Sequence, residues 1–312
     1  MALAFPGGPG SCRAADDREV VPPKMMMPTN QVCFRVDDAW DFIPEARRPR
    51  LPVIDVREEA RALRFITSAS RIDAFAAKHA ADFRPYTLFG SGDFHHLSAV
   101  WTRQFREPFT LLSFDNHPDW DIRPPKWSCG AWINRALENR RVENVGIWGC
   151  GNSECGFPAR LLGNRRAAKT HRLLVYPWKR EGVRYPLYLN PLTPKTWQTQ
   201  FLEWVEGRQG HKIYVTIDLD CLVSGEAVTN WENGRFTCDD LVWALRTLRE
   251  KVEVIGGDLC GGWSRPRYET AFQKLAGWFE HPASSEPSRE DLLSRNLVTL
   301  ERLWPALTGS QS

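Results

Sequence analysis

Short apolar runs bounded by glycine, proline and polar residues alternate along this chain with stretches whose apolar residues recur every three to four positions. Runs of the first kind predict strands at Val53–Val56, Tyr86–Phe89, Phe109–Phe114, Val145–Trp148, Leu173–Tyr176, Lys212–Ile217 and Val252–Ile255. Stretches of the second kind predict helices at Ala60–Phe65, Ile72–His79, Leu97–Phe105, Ala131–Glu138, Pro194–Glu206, Cys238–Leu248 and Arg267–Phe279, with an amphipathic helix over Leu292–Leu307. Strands that alternate with helices form βαβ units, which build a parallel sheet covered on both faces. No internal repeat or linker interrupts the pattern, so residues 31–312 are expected to be one domain. Residues 1–30, rich in Gly, Pro and Met and without periodicity, are expected to lack order or to form an arm.

Composition narrows the function without naming it. With 312 residues, 42% apolar and 25% charged, the chain can bury a sizeable core. A formal charge of +3 is too small to predict nucleic acid or an anionic membrane as partner. No apolar run approaches a transmembrane span, and the N-terminus lacks a signal-peptide pattern, so the cytoplasm is the expected location. The eight cysteines are then expected to be free, mostly buried thiols; no CxxC pair occurs, which argues against a zinc ribbon. Most of the 14 tryptophans are expected in the core, with a minority lining a pocket.

In parallel sheets ligands bind beyond the carboxyl ends of the strands, and four such ends carry polar residues. Gly90-Ser91-Gly92-Asp93-Phe94-His95-His96 follows Tyr86–Phe89 and leads into a helix, where Asp93 could equally serve as a helix cap. Ser113-Phe114-Asp115-Asn116-His117-Pro118-Asp119-Trp120-Asp121 puts Asp115, His117 and Asp119 on one side of an extended chain, because side chains alternate with period two. Two carboxylates and an imidazole so placed call for a cation. Val215-Thr216-Ile217-Asp218-Leu219-Asp220 ends an apolar strand in two more carboxylates on one face. Gly256-Gly257-Asp258-Leu259-Cys260-Gly261-Gly262 reads as a turn that leaves room for a ligand near Asp258.

Taken in chain order, these motifs resemble the arginase (ureohydrolase) family, whose signatures are a Gly-Gly-Asp-His turn, an Asp-x-His-x-Asp run and a Ser-x-Asp-x-Asp run. Their places are taken here by the turn with Asp93 and His95, by Asp115-Asn116-His117-Pro118-Asp119 and by Thr216-Ile217-Asp218-Leu219-Asp220. Thr237-Cys238-Asp239-Asp240 then opens a helix, and the likeness runs over roughly residues 85–262. The resemblance implies an α/β, arginase/deacetylase-like three-layer fold with a mainly parallel central sheet, and a catalytic domain over 31–312. It implies two Mn²⁺ per subunit, with Asp115 and Asp218 bridging, His95 and Asp119 completing one site, and His117 and Asp220 the other. Two imidazoles among four carboxylates suit Mn²⁺ better than Zn²⁺. The implied reaction is hydrolysis of a guanidino group to urea and an amine, with Asp119 and Asp258 as catalytic carboxylates and Asp258 gripping the guanidinium. A homo-oligomer is also implied, since relatives form trimers or hexamers.

The chain departs from the family pattern in three places. The first turn is one residue longer, so either His95 or His96 could be the ligand; the spacing to Leu97 favours His95. Enzymes acting on free arginine carry Asn where this chain has Asp121, which would repel an α-carboxylate. The following loop, Trp127-Ser128-Cys129-Gly130-Ala131-Trp132, lacks the family's histidine and leaves Cys129 as a buried thiol or a substitute proton carrier. These departures favour an arginine side chain within a peptide, converted to ornithine as in the peptide arginases of ribosomal peptide biosynthesis. The alternative is a small guanidine such as agmatine. Asp121, Cys129 and Asp258 are the expected substrate contacts, and Trp120, Trp127, Trp132 and Trp263 could line a peptide-accepting groove. A ligand-binding relative without catalysis and a single-metal deacetylase are the readings of other classes; neither needs six converging ligands.

Overall fold

A computed structural model describes residues 1, 2, 4, 30–124, 127–281 and 285–310, so the expected arm over residues 1–30 falls almost entirely outside the described residues. The described residues form ten strands: β1 (Gln31–Arg35), β2 (Val53–Asp55), β3 (Ile66–Thr67), β4 (Tyr86–Leu88), β5 (Phe109–Phe114), β6 (Trp127–Ser128), β7 (Val142–Trp148), β8 (Leu173–Tyr176), β9 (Lys212–Asp218) and β10 (Glu253–Cys260). Eight of them form one sheet in the order β2-β1-β4-β10-β9-β5-β7-β8, and every pairing in it is parallel. The remaining two, β3 and β6, pair as a short antiparallel ribbon.

Apolar side chains fill both faces of this sheet, as the near-continuous hydrophobic strands require. On one face Leu111, Val145, Ile147 and Tyr214 pack with Ile72 and Phe75 of the helix Ala69–His79 and with Trp132, Ile133 and Ala136 of the helix Trp132–Glu138. On the other, Leu112, Phe114, Val215 and Ile217 pack with Phe201 and Trp204 of the helix Trp197–Glu206, Leu241 and Leu245 of Cys238–Lys251, and Leu303 and Leu307 of Val298–Thr308. The result is the expected three-layer α/β architecture, with the carboxyl ends of β4, β10, β9 and β5 side by side in the middle of the sheet.

Two local expectations need correcting. Ala60–Phe65 is no helix: a single turn over Arg57–Ala60 ends there, and the chain reverses at Phe65, whose φ of 65° lies in the left-handed region. The glycine-rich segment after Ile255 is not a turn. β10 continues through it to Cys260, because glycine lets the strand pass where a side chain could not; a Cβ on Gly256 would lie 2.4 Å from the Pro85 carbonyl oxygen. Asp258 therefore sits inside a central strand rather than in a loop beyond one.

Candidate metal centre

Register brings the acidic motifs together. Phe114 of β5 pairs with Ile217 of β9, so the next residues on the two strands, Asp115 and Asp218, emerge side by side. Asp218 also accepts from the Asp220 backbone N–H (3.0 Å), which turns Asp220 towards the same space. Gly261 (φ 95°) closes in from β10, where a Cβ would lie 2.1 Å from Asp218 Oδ1. Across the top, Asp119 is held in a left-handed conformation (φ 44°) by Trp132, whose Nε1 donates to its Oδ2 at 2.6 Å.

His95 reaches this cluster from the short helical turn after β4. Its Nδ1 lies 3.1 Å from Asp115 Oδ2, 3.4 Å from Asp119 Oδ2 and 3.5 Å from Asp218 Oδ2. His117 Nδ1 lies 2.8 Å from Asp220 Oδ2 and 3.8 Å from Asp115 Oδ1. The ligating atoms of His95, Asp115 and Asp119, and those of Asp115, His117 and Asp220, fall within 4.8 Å of one another, with Asp115 common to both groups. A third such group joins His95 and Asp218 to the thiol of Cys260. His96 is fully buried beside the cluster, belongs to none of these groups, and has neither ring nitrogen hydrogen-bonded. Burial holds it neutral, with a pKa of about 3.

Proton positions favour a cation here. Thr216 Oγ1 donates to Asp258 Oδ1 (2.6 Å), so its oxygen is left to accept from His95 Nε2 (2.9 Å). With Nε2 carrying the proton, neutral His95 turns the lone pair of Nδ1 onto three carboxylates. Such an arrangement is repulsive unless a positive charge stands among them. Without a metal, protons would have to supply that charge. Burial opposes protonation of His95, but Asp115, Asp119 and Asp218 overcome it and push its pKa well above the usual value. Burial and the charge of Asp115 push the carboxyl of Asp119 up to about 8; burial and Asp218 push Asp220 up as well. One oxygen of Asp115 is buried without a hydrogen bond. The donor set, its charge and this orphaned atom all fit divalent cations.

Asp258 does not reach the cavity. Both its oxygens are engaged, accepting from Tyr214 Oη (2.7 Å), Thr216 Oγ1 (2.6 Å) and Ser98 Oγ (3.0 Å). Alternation along β10 points it into the layer behind the cluster, so the expected grip on a guanidinium gives way to a buried anchor. Through Thr216 it fixes the tautomer and aim of His95, the usual task of a carboxylate behind a ligating imidazole.

The cluster forms the floor of a cavity of about 790 Å³. Asp121 and Cys129 both line it. Asp121 is paired with Arg123, whose Nε donates to its Oδ2 at 2.8 Å, which blunts the repulsion expected towards a substrate carboxylate. Burial pushes the Cys129 thiol well up, so it stays protonated, which disfavours a shuttle through the thiolate. Of the four tryptophans singled out in the sequence, Trp120 lines the cavity; Trp127, Trp132 and Trp263 do not.

Sequence reasoning missed the wall made by Phe65, Trp231 and Glu232. Phe65 and Trp231 stack at 6.0 Å between ring centroids. Glu232 Oε2 lies 3.4 Å from His117 Nε2, and its side chain is more than half exposed to the cavity. Behind this wall, Asp93 is fully buried between Arg64 Nε (2.7 Å), His281 Nε2 (2.6 Å) and Trp231 Nε1 (3.2 Å). Asp93 thus supports the rim and is not part of the cluster. The one available signal was the pair Trp231-Glu232 in a loop just past the third acidic motif.

Comparison with known proteins places this geometry on a familiar fold. No family model matches the chain. A curated relative, an uncharacterised protein of Thermotoga maritima, is 28% identical over 176 residues; the match spans 56% of this chain and only 57% of that protein. Among solved structures, the arginase of Bacillus subtilis superposes with a TM-score of 0.52 at 12% identity over 88% of this chain and 98% of its own. The arginase of Medicago truncatula gives 0.51 at 14% identity, over 88% and 86%. The proclavaminate amidino hydrolase of Streptomyces clavuligerus gives 0.50 at 12% identity, over 89% and 94%.

Proposed function

We propose that this chain, which has the fold of the arginases, is a binuclear manganese hydrolase that releases urea from a guanidino group. A peptidyl-arginine, left as peptidyl-ornithine, is the substrate favoured here. The observation that carries the reading is the meeting of His95, Asp115, His117, Asp119, Asp218 and Asp220 on the floor of a wide cavity whose wall bears a further carboxylate, Glu232. The six would hold the metal pair. Bound there, divalent cations supply the Lewis acidity and the lowered water pKa that attack on a guanidinium carbon requires.

The chain's own groups account for the rest. A guanidinium stays protonated (pKa above ~12) and spreads its charge over three nitrogens, so its binding calls for a carboxylate. Glu232 takes the place first given to Asp258: it lies at the floor's edge beside His117 and faces the cavity. Trp231 and Phe65 offer flat apolar walls to the aliphatic stem of an arginine. Water adds to the guanidinium carbon, the C–N bond to the substrate's amine breaks, and urea and an ammonium group are left, the protons of the water passing to the products. Asp258 and Trp132 position His95 and Asp119 throughout.

Urea release after Mn²⁺ loading tests the proposal, with free arginine, agmatine and an arginine-containing peptide offered in parallel. Urea from the peptide alone supports the peptide reading. Urea from free arginine or agmatine alone turns the reading to a small guanidine, for which Arg123 and Arg180 on the cavity lining speak when the guanidine bears an acid. No urea from any of them, with metal bound, overturns the hydrolase.

A further inference from the structure

The helix Ala271–Glu280 is built inside out. Its buried positions are Gln273 and Gly277, while Phe272, Leu275, Trp278 and Phe279 are 61%, 55%, 74% and 70% exposed. This orientation is enforced. The Gln273 amide Nε2 lies within hydrogen-bonding distance of the carbonyls of Arg61, Ala62, Arg64 and Ile66, and its Oε1 accepts from the Thr270 N–H in a capping box. Gly277 lies against Tyr268, where a Cβ would come within 2.2 Å of the hydroxyl oxygen. The polar and small side chains thus bind the helix to the protein, and its apolar stripe, spaced i, i+3, i+7, is turned outwards. Large exposed apolar patches of this kind mark binding surfaces.

Its position says what binds. Ala276 and Glu280 of the same helix line the catalytic cavity, so the stripe begins where the cavity ends. A second apolar surface meets the same cavity: Leu162 lines it and is 40% exposed, Ile122 and Leu161 stand exposed next to lining residues, and Phe157 stands exposed two positions before another, Ala159. Most of the large apolar side chains exposed among the described residues therefore lie on the segments that border this one opening. The stripe residues Phe272, Leu275, Trp278 and Phe279 do not themselves line the cavity that would hold a small guanidine. A polypeptide with its arginine in the cavity has neighbouring residues that can reach across these bordering surfaces.

We propose that the outward face of the helix Ala271–Glu280 is a docking ledge for apolar and aromatic residues adjacent to the target arginine of a polypeptide substrate. The inference rests on the peptide reading above and adds its specificity: the substrate is an arginine set in an apolar sequence. Contacts on the ledge act on binding and leave the chemistry on the floor unchanged.

The test compares the Mn²⁺-loaded protein with a variant carrying Phe272→Ser, Trp278→Ala and Phe279→Ser, all solvent-facing changes. Two fluorescein-labelled peptides are used, each with one arginine, flanked by leucine and phenylalanine in one and by serine in the other. Fluorescence anisotropy should show the variant losing about tenfold in affinity for the apolar peptide, and nothing for the serine peptide. Urea release from N-acetyl-argininamide should be unchanged. Equal losses on both peptides, or none, would overturn the ledge. So would a wild-type dimer that the variant converts to a monomer, since a second copy would then be the occupant. A wild type that discriminates the peptides but yields no urea from any arginine compound would sink the hydrolase reading and leave the ledge standing.

Discussion

The floor of the cavity and its rim are made in different ways. On the floor, five of the six clustered side chains lie two residues apart at or just past strand ends, at Asp115, His117 and Asp119 and again at Asp218 and Asp220; the pairing of β5 with β9 brings the two sets together, and His95 joins them from the turn after β4. On the rim, Phe65, Trp231 and Ala276 come from segments more than 40 residues apart and meet only after the chain has folded. Local spacing therefore specifies the chemistry of the floor, and tertiary packing specifies what the floor is offered.

Substitutions can sharpen or break that division. Asp115→Ala or Asp218→Ala should abolish metal binding and urea release together, with rate losses above ~10³-fold; metal analysis beside a urea assay checks this, and an active metal-free variant would refute the floor. Glu232→Gln should keep its metal and lose about 100-fold in kcat/KM; unchanged kinetics would return the guanidinium grip to another carboxylate. Asp258→Asn should weaken metal affinity about 10- to 100-fold by disturbing the aim of His95, as metal titration would show. In the same titration His96→Ala should leave affinity unaltered, the contrary result making His96 a ligand. The smallest effect belongs to Asp121→Asn. Its carboxylate is already paired with Arg123 at a partly exposed site, so activity on free arginine should rise less than about threefold. A large gain there would show that charge at this position alone selects the substrate.

Much of this architecture was legible in the sequence. Phe109–Phe114 and Leu173–Tyr176 begin and end where their apolar runs do, and the six floor residues follow strands that were read correctly. Asp258 was misjudged because glycine usually ends a strand, whereas Gly256 and Gly257 here let β10 pass close to its neighbours and carry the carboxylate into the sheet. Strand β1 was not anticipated, although Val32 and Phe34 are buried in the core; the run is short and abuts a stretch without pattern. The helix Arg267–Phe279 was anticipated in place but not in facing. Its apolar stripe would ordinarily point inward, and only Gln273, bonded to the carbonyls around residues 61–66, reveals that it does not.

The adjacency of β5 and β9 also bears on how the centre comes into being. These strands pair from Thr110 to Phe114 and from Ile213 to Ile217 in the finished sheet, yet Asp115 and Asp218 are separated by about 100 positions of chain, and everything between must be laid down first. Closing so long a loop is slow compared with forming any single βα unit. An ion held by all six groups could therefore not act as an early seed. A nascent chain released before residue 212 would own His95, Asp115, His117 and Asp119 but not the other half of the cage, and on the proposed reading an ion would arrive as the last component of an assembly line rather than its first.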